Sequence, residues 1–485
     1  MGVVVAVDAG TTGARALAVD ELGRPVAWEY REFPQHFPRP GWVEHDPVEI
    51  WEAVEGTLAA LRGRVGAVVA IGITNQRETT VVWDRRSGRP LAPAIVWQDR
   101  RTAGRCEELR DAGALPLVRR ATGLVLDPYF SGTKLEWLLG PGGVEPGPDL
   151  AFGTVDAWLI WNLTAGAVHA TDPSNASRTM LYDITSLRWS TELCALLGVP
   201  MACLPEVRPS DGGFGTVASG PFAGVPIGGV AGDQQAALYG QACTTPGMTK
   251  CTYGTGSFVL MHVGAACPPP VDGLLTSVGW QLTDGDLSYV LEGAVFVAGA
   301  AVQWLRDGLG LIGAAADIGP LAETVPDSGG VVLVPAFTGL GSPWWDPHAR
   351  GTVLGLTRGS GRAQFARAVV ESMAYQTRDV VDAMARAAGR PVRALRADGG
   401  ASVMDLLLQL VANQLGVPVE RPTVLESTAM GAAYLAGRAA GLWAATDGLW
   451  ALDRSFTPGA DRAATDAAYA EWQRAVERAR GWASP

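Results

Sequence analysis

The sequence predicts a mixed α/β fold built as two related halves, and three observations carry that expectation. The chain opens on a β-branched run, residues 3–8, closed by Gly10-Thr-Thr-Gly13 and followed by a second short apolar run over residues 14–20. This pattern reads as a β-hairpin with a glycine- and threonine-rich turn. The same order of strand, Gly/Thr turn and strand returns at Cys251-Thr-Tyr-Gly254-Thr255-Gly256-Ser-Phe258-Val-Leu-Met261, which points to an internal repeat. Segments of helical period lie between and after the hairpins, so helices alternate with strands.

The elements follow in chain order. Strands are predicted over residues 65–73 and 79–83, and another over 225–231 runs into Gly232-Asp233-Gln234-Gln235 and an Ala-rich helix start. From residue 362 to 390 the apolar positions Phe365, Val369, Met373, Val380 and Met384 keep helical spacing, and Gly389 with Pro391 ends the run. A strand over 392–397 then meets Asp398-Gly399-Gly400-Ala401 and an apolar helix over 406–415. A last helix is expected around Tyr469, Trp472, Val476 and Ala479. Turn residues cluster over 240–246, which divides the chain into domains of residues 1–242 and 243–485.

Composition bounds the function. The length of 485 residues, at roughly 150 per domain, suits two or three domains. With 48% hydrophobic and 18% charged residues the chain has the apolar content to build packed cores, which excludes disorder. Lys and Arg total 38 against 49 Asp and Glu, and the net charge of −11 disfavours nucleic acid and anionic membranes as partners. Lys134 and Lys250 are the only lysines, a bias that reads as a coding preference for arginine. The six cysteines form no C-x-x-C pair and read as reduced thiols. Asp8 interrupts the opening apolar run, Ala6 stands where myristoylation wants Ser or Thr, and no stretch reaches the ~18 apolar residues of a membrane span. A cytoplasmic protein without membrane insertion is expected.

Three common phosphate-binding signatures are missing. Neither lysine follows Gly and precedes Ser or Thr as a P-loop requires, no His precedes Arg-Asp as in a protein-kinase catalytic loop, and no G-x-G-x-x-G follows a strand. The two Gly/Thr turns and Asp398-Gly399-Gly400 remain. In the first turn the backbone N–H groups around Gly10 and Gly13, the hydroxyls of Thr11 and Thr12, and the charge of Arg15 suit phosphate oxygens, while Asp8 suits Mg²⁺ held through water.

The chain resembles the FGGY carbohydrate-kinase family, which shares the actin and hexokinase fold. The resemblance rests on an ordered set of words: Asp8-Ala-Gly-Thr-Thr-Gly-Ala-Arg15, Gly41-Trp-Val-Glu-His-Asp-Pro47, Gly72-Ile-Thr-Asn-Gln-Arg-Glu-Thr-Thr80, Asp127-Pro-Tyr-Phe-Ser-Gly132, Gly232-Asp-Gln-Gln235, Tyr253-Gly-Thr-Gly256, Ala336-Phe-Thr-Gly-Leu-Gly341 and Asp398-Gly-Gly-Ala401. It implies two actin-like (ribonuclease H-like) α/β domains with the site in the cleft between them, and ATP-dependent phosphorylation of glycerol with Mg²⁺ by a homodimer or homotetramer. By resemblance Arg77, Glu78, Tyr129, Asp233 and Gln234 hold glycerol, Trp97 and Phe258 line its apolar edge, and Asp233 is the general base. Thr11, Thr12, Gly13, Arg15 and Thr255 face the triphosphate, and Gly299, Gln303, Gly400 and Met404 the rest of the nucleotide. Met404 stands where the family usually carries Asn. Relatives inhibited by fructose 1,6-bisphosphate bind it at a glycine-rich loop carrying Arg; residues 215–229 here hold no Lys, Arg or His, which predicts little inhibition.

Overall fold

A computed structural model of the chain describes residues 2–446, 448–459 and 461–483. The N-terminal half supplies β1 (Gly2–Ala9), β2 (Gly13–Val19), β3 (Pro25–Glu32), β4 (Ala67–Asn75) and β5 (Ile227–Gly232), in one sheet ordered β5-β4-β1-β2-β3. The β1, β4 and β5 strands are parallel, while β2 and β3 continue antiparallel. The C-terminal half supplies β6 (Thr249–Tyr253), β7 (Ser257–Gly264), β8 (Leu275–Gln281), β9 (Leu287–Val295), β10 (Leu395–Asp398), β11 (Val419–Pro422) and β12 (Leu452–Phe456), ordered β8-β9-β7-β6-β10-β11-β12. Without the edge strands β8 and β12, this sheet repeats the first in order and in strand sense. The repeated hairpin in the sequence is thus the visible part of a repeated five-stranded unit.

The helices include α1 (Pro47–Arg62), α2 (Ser131–Leu139), α3 (Asp233–Gly240), α4 (Gly299–Gln303), α5 (Arg362–Ala388), α6 (Asp405–Leu415), α7 (Ser427–Ala439) and α8 (Arg462–Ala479). The helix predicted over 362–390 ends at Ala388, where Gly389 takes a left-handed φ of 61° that a side chain disfavours. The strands predicted at 65–73 and 225–231 start two residues later than expected, at Ala67 and Ile227.

One helix of the C-terminal half lies against the N-terminal sheet. Small residues let α7 approach closely: a Cβ on Gly229 of β5 would stand 2.7 Å from the Leu435 Cβ, and one on Gly240 of α3 would stand 2.7 Å from the Gly431 nitrogen. The core there draws on both halves, with Val4, Leu17 and Ala231 packed beside Leu260, Trp280, Ala432 and Leu435. The two sheets therefore share apolar surface removed from water, and their Gly/Thr turns are held in a common frame.

Candidate active site

The first turn closes with Gly10 N donating to the Gly13 carbonyl at 3.0 Å, and the second with Gly254 N donating to Gly256 at 2.8 Å. Gly13 is required by its neighbours, since a Cβ would fall 2.6 Å from the Arg31 carbonyl of β3. The Thr11 hydroxyl accepts from the Trp97 indole at 2.9 Å, and the Thr12 hydroxyl lies 3.3 Å from that of Tyr30. Arg15 forms an ion pair with Glu426 and stands 5.8 Å over both the Trp28 and Tyr30 rings, so its charge already has partners at the cleft edge. At the end of β1, opposite Arg15, burial and the nearby charge of Asp233 push the Asp8 carboxyl up to about 7 against the pull of Arg15.

The residues expected to hold and line the substrate converge from five separate segments. Arg77 and Glu78, just after β4, are buried at 3% and 1% exposure. Arg77 pairs with Asp233 at 3.1 Å and donates to the Tyr129 hydroxyl at 3.2 Å, Gln235 at 3.3 Å and both oxygens of Glu292 at 2.5 and 2.9 Å. Asp233 opens α3 directly after Gly232, so the helix N-terminus lies behind a carboxylate whose side chain keeps 30% exposure to the cleft. Desolvation raises its pKa, Arg77 and Lys250 oppose the rise, and Glu78 adds to it. Trp97 completes an apolar wall with Tyr129 at 5.6 Å and Phe258 at 6.4 Å between ring centroids. Gln234 turns its carbonyl oxygen to the Lys250 ammonium.

Three residues that sequence reasoning missed organise this cluster. Glu292, on β9 and fully buried, accepts from Arg77 and pairs with Arg178 at 3.3 Å. Arg178 in turn donates to Glu78 at 2.6 Å and to the Ser277 hydroxyl at 3.1 Å. Burial alone would raise the Glu292 pKa, but Arg178 and Arg77 hold it at about 2. The third residue is Lys250, fully buried on β6. A charged residue inside the apolar run Val290-Leu-Glu-Gly-Ala-Val295 was the available signal for Glu292, and the scarcity of lysine was the signal for Lys250.

The expected nucleotide side centres on the second turn. The Thr255 carbonyl accepts from Ala298 and Ala300, both at 2.9 Å, and Gly299 N donates to the Gly254 carbonyl at 3.0 Å. A Cβ on Gly299 would sit 2.6 Å from that carbonyl, so close backbone packing, not a ligand, is the reason the structure supplies for this glycine. Gly400 differs, because a Cβ there would meet no protein atom within 4 Å. Gln303 is exposed at the end of α4, where the chain widens into a π-helical turn over Trp304–Gly308. Met404 packs beside Gly319 against the C-terminal core, and its neighbour Asp405 is engaged by Arg421 and Arg454. Two cavities lie elsewhere: one of about 320 Å³ is lined by Asp84 and Asp149, and one of about 820 Å³ by Asp211 and Arg438.

Family models for the FGGY family of carbohydrate kinases match the chain twice, the N-terminal domain over residues 3–240 and the C-terminal domain over residues 249–440. The chain belongs to the FGGY family of carbohydrate kinases. Among proteins similar to this FGGY kinase, a glycerol kinase of Carboxydothermus hydrogenoformans is 54% identical, with 99% of this chain and 98% of that protein covered. One from Aromatoleum aromaticum is 53% identical, with 99% of each covered. The structure of Plasmodium falciparum glycerol kinase with ADP superimposes with a TM-score of 0.93 at 33% identity, covering 99% of this chain and 98% of that one. A xylulose kinase of Lactobacillus acidophilus, at 22% identity and a TM-score of 0.87 over 99% and 97% of the two chains, shares the fold. The two-domain actin-like architecture expected from the sequence is the architecture found.

Proposed function

We infer that this FGGY kinase transfers the γ-phosphoryl group of ATP to a hydroxyl of glycerol, giving sn-glycerol 3-phosphate and ADP. The observation that carries the reading is the convergence of the buried Arg77–Glu78 pair, the Tyr129 hydroxyl and the Asp233 carboxylate beneath an aromatic wall. Such a site offers charged donors and acceptors to several hydroxyls at once, and its relatives of more than half identity are named glycerol kinases.

Asp233 accepts the proton of the attacking hydroxyl as the new O–P bond forms and the bond from γ-phosphorus to the β-γ bridging oxygen breaks, the electron pair leaving with ADP. Its raised pKa suits that task, and the Arg77 charge beside it works against the rise. Arg77 has its N–H groups directed at protein acceptors, so it acts on glycerol partly through Tyr129 and Asp233, while the buried Glu78 accepts from Arg178. By the family resemblance Thr11, Thr12, Gly13, Arg15 and Thr255 border the triphosphate, and Gly299, Gln303, Gly400 and Met404 the rest of the nucleotide.

Asp8 and Asp233 raise the cost of each other's charge, which suits a divalent cation held at Asp8 through water. Mg²⁺ bound there supplies charge neutralisation of the triphosphate. We further place the protein in the cytoplasm, as a homodimer or homotetramer of two-domain subunits divided near residue 242.

Coupled measurement of ADP release with glycerol, dihydroxyacetone, erythritol and xylulose tests the substrate, and glycerol turning over no better than xylulose would refute it. Asp233→Asn is expected to lower kcat by at least about 10³-fold while leaving glycerol affinity within about threefold, since the amide keeps the shape and loses the basicity. Activity within tenfold of the parent, in a folded variant, removes Asp233 from the base role.

A further inference from the structure

All but two of the 38 cationic side chains of this protein are arginines, and both lysines, Lys134 and Lys250, are completely buried. A preference for arginine that has left no lysine on the surface makes the buried exceptions informative. A buried site of this kind can distinguish an ammonium from a guanidinium.

For Lys134 the distinction is visible. It lies on α2, and its side chain turns back onto the loop that enters the helix. Nζ donates to three successive carbonyls, those of Pro128 at 2.6 Å, Tyr129 at 2.6 Å and Phe130 at 3.2 Å. An ammonium presents three N–H groups from a single point and meets three converging oxygens at once. A planar guanidinium is larger and spreads its donors over a fork, so it has no equivalent arrangement in a closed pocket. The opposite side of the same loop faces the cleft. The Ser131 hydroxyl donates to the Glu78 carbonyl at 2.9 Å, and the Tyr129 hydroxyl accepts from Arg77 at 3.2 Å. The Tyr129 ring lies under the Arg178 guanidinium at 5.2 Å and beside Trp97 at 5.6 Å.

We propose that Lys134 is a positioning residue of the substrate site, its ammonium clamping the carbonyls of residues 128–130 so that Tyr129 presents its hydroxyl beside Arg77 and the pocket. The clamp works through Tyr129 and touches neither glycerol nor nucleotide. The inference rests on the glycerol-kinase reading above, because Tyr129 is assigned to glycerol there.

The test is steady-state kinetics on the full chain with glycerol and ATP varied. Lys134→Met, which keeps the length of the side chain and loses the charge and all three donors, is expected to raise the glycerol KM about tenfold or more, with the ATP KM within about twofold and kcat within about threefold. Lys134→Arg is expected to fall on the same side as Lys134→Met, because charge alone does not rebuild the clamp. In the Tyr129→Phe background Lys134→Met is expected to add less than about threefold to the glycerol KM, since the two changes then remove one interaction. An equal rise in both KM values, or full additivity with Tyr129→Phe, would overturn the proposal by showing a general loss of packing.

If neither Lys134 variant folds, the wild-type protein carries the test. Desolvation draws the Lys134 ammonium down to about 8, against the nearby charges of Glu78, Asp99, Asp127 and Cys106. The glycerol KM is therefore expected to rise across about pH 7 to about pH 9, and the rise to be missing from Tyr129→Phe. Identical profiles in the two proteins overturn the clamp. Wild-type protein that fails to phosphorylate glycerol at all refutes the substrate reading instead.

Discussion

In the proposed mechanism Arg77 serves both binding and chemistry. Its guanidinium contacts Tyr129, Gln235 and Glu292 and pairs with Asp233 at 3.1 Å, so removing it disturbs the proposed base as well as the proposed pocket. The Arg77 charge lowers a carboxylate pKa that desolvation has raised. Arg77→Gln is therefore expected to move the acid limb of the kcat profile to higher pH, because Asp233 then holds its proton longer, and to raise the glycerol KM together with a loss of kcat of about 10-fold or more. A change confined to KM, with the acid limb in place, would show that Arg77 serves binding alone. The same scale exposes what local sequence could not carry. Arg77-Glu78 stood out as an adjacent donor and acceptor, but no spacing in the chain announced that Arg178 and Glu292 close the circle around them.

Among the elements, the hairpin turns were legible because their signals are local. Alternation, β-branching and a Gly/Thr cluster lie within a dozen residues, and β1–β2 and β6–β7 formed where those signals stood. The stretch leading into β5 corresponds to the loop expected, from the family resemblance, to bind a bisphosphate in some relatives, and its charges can be read directly. Residues 215–229 contain no cationic side chain, and the neighbouring Arg208 spends its guanidinium on Glu206 at 2.6 Å and on the Gly213 carbonyl at 3.2 Å. Fructose 1,6-bisphosphate, which needs several cationic donors, finds none free in this loop. Initial rates at saturating ATP and glycerol are expected to change by less than about twofold with millimolar bisphosphate, given the lack of charge-assisted contacts. Strong inhibition that Arg208→Ala abolishes would overturn this expectation and identify Arg208 as the cationic donor.

At the scale of the whole molecule, Glu292 joins the halves. It belongs to the C-terminal sheet, while Arg77 and Arg178 belong to the N-terminal half, and all three are buried at 3% exposure or less. Glu292 titrates at about 2 in the folded protein against 4.5 for a free glutamate, so its stabilising contribution is complete above about pH 4.5 and is lost as the pH falls toward 2. Glu292→Gln is expected to cost about 3 kcal/mol at neutral pH, since it leaves two buried guanidinium groups without their shared anion, and to flatten the acid limb of stability. Denaturant unfolding from neutral to acid pH reads both effects, and an unchanged acid limb would count against Glu292 as the anion that ties the halves.

The amino-acid sequence by itself determined the local elements, the doubled hairpin and the family words around Asp8, Arg77, Tyr129 and Asp233, because each is written in residues close together along the chain. Tertiary structure alone decided which of these residues meet. It set Arg15 against Glu426, packed Met404 against Gly319, and laid α7 of the second half on the sheet of the first. It also placed Glu292 between Arg77 and Arg178, across sequence separations of 215 and 114 residues. The physical reason is one of range. Turn chemistry and strand alternation act between neighbours, whereas a buried charge is tolerable only once the folded chain has brought it a partner of opposite sign.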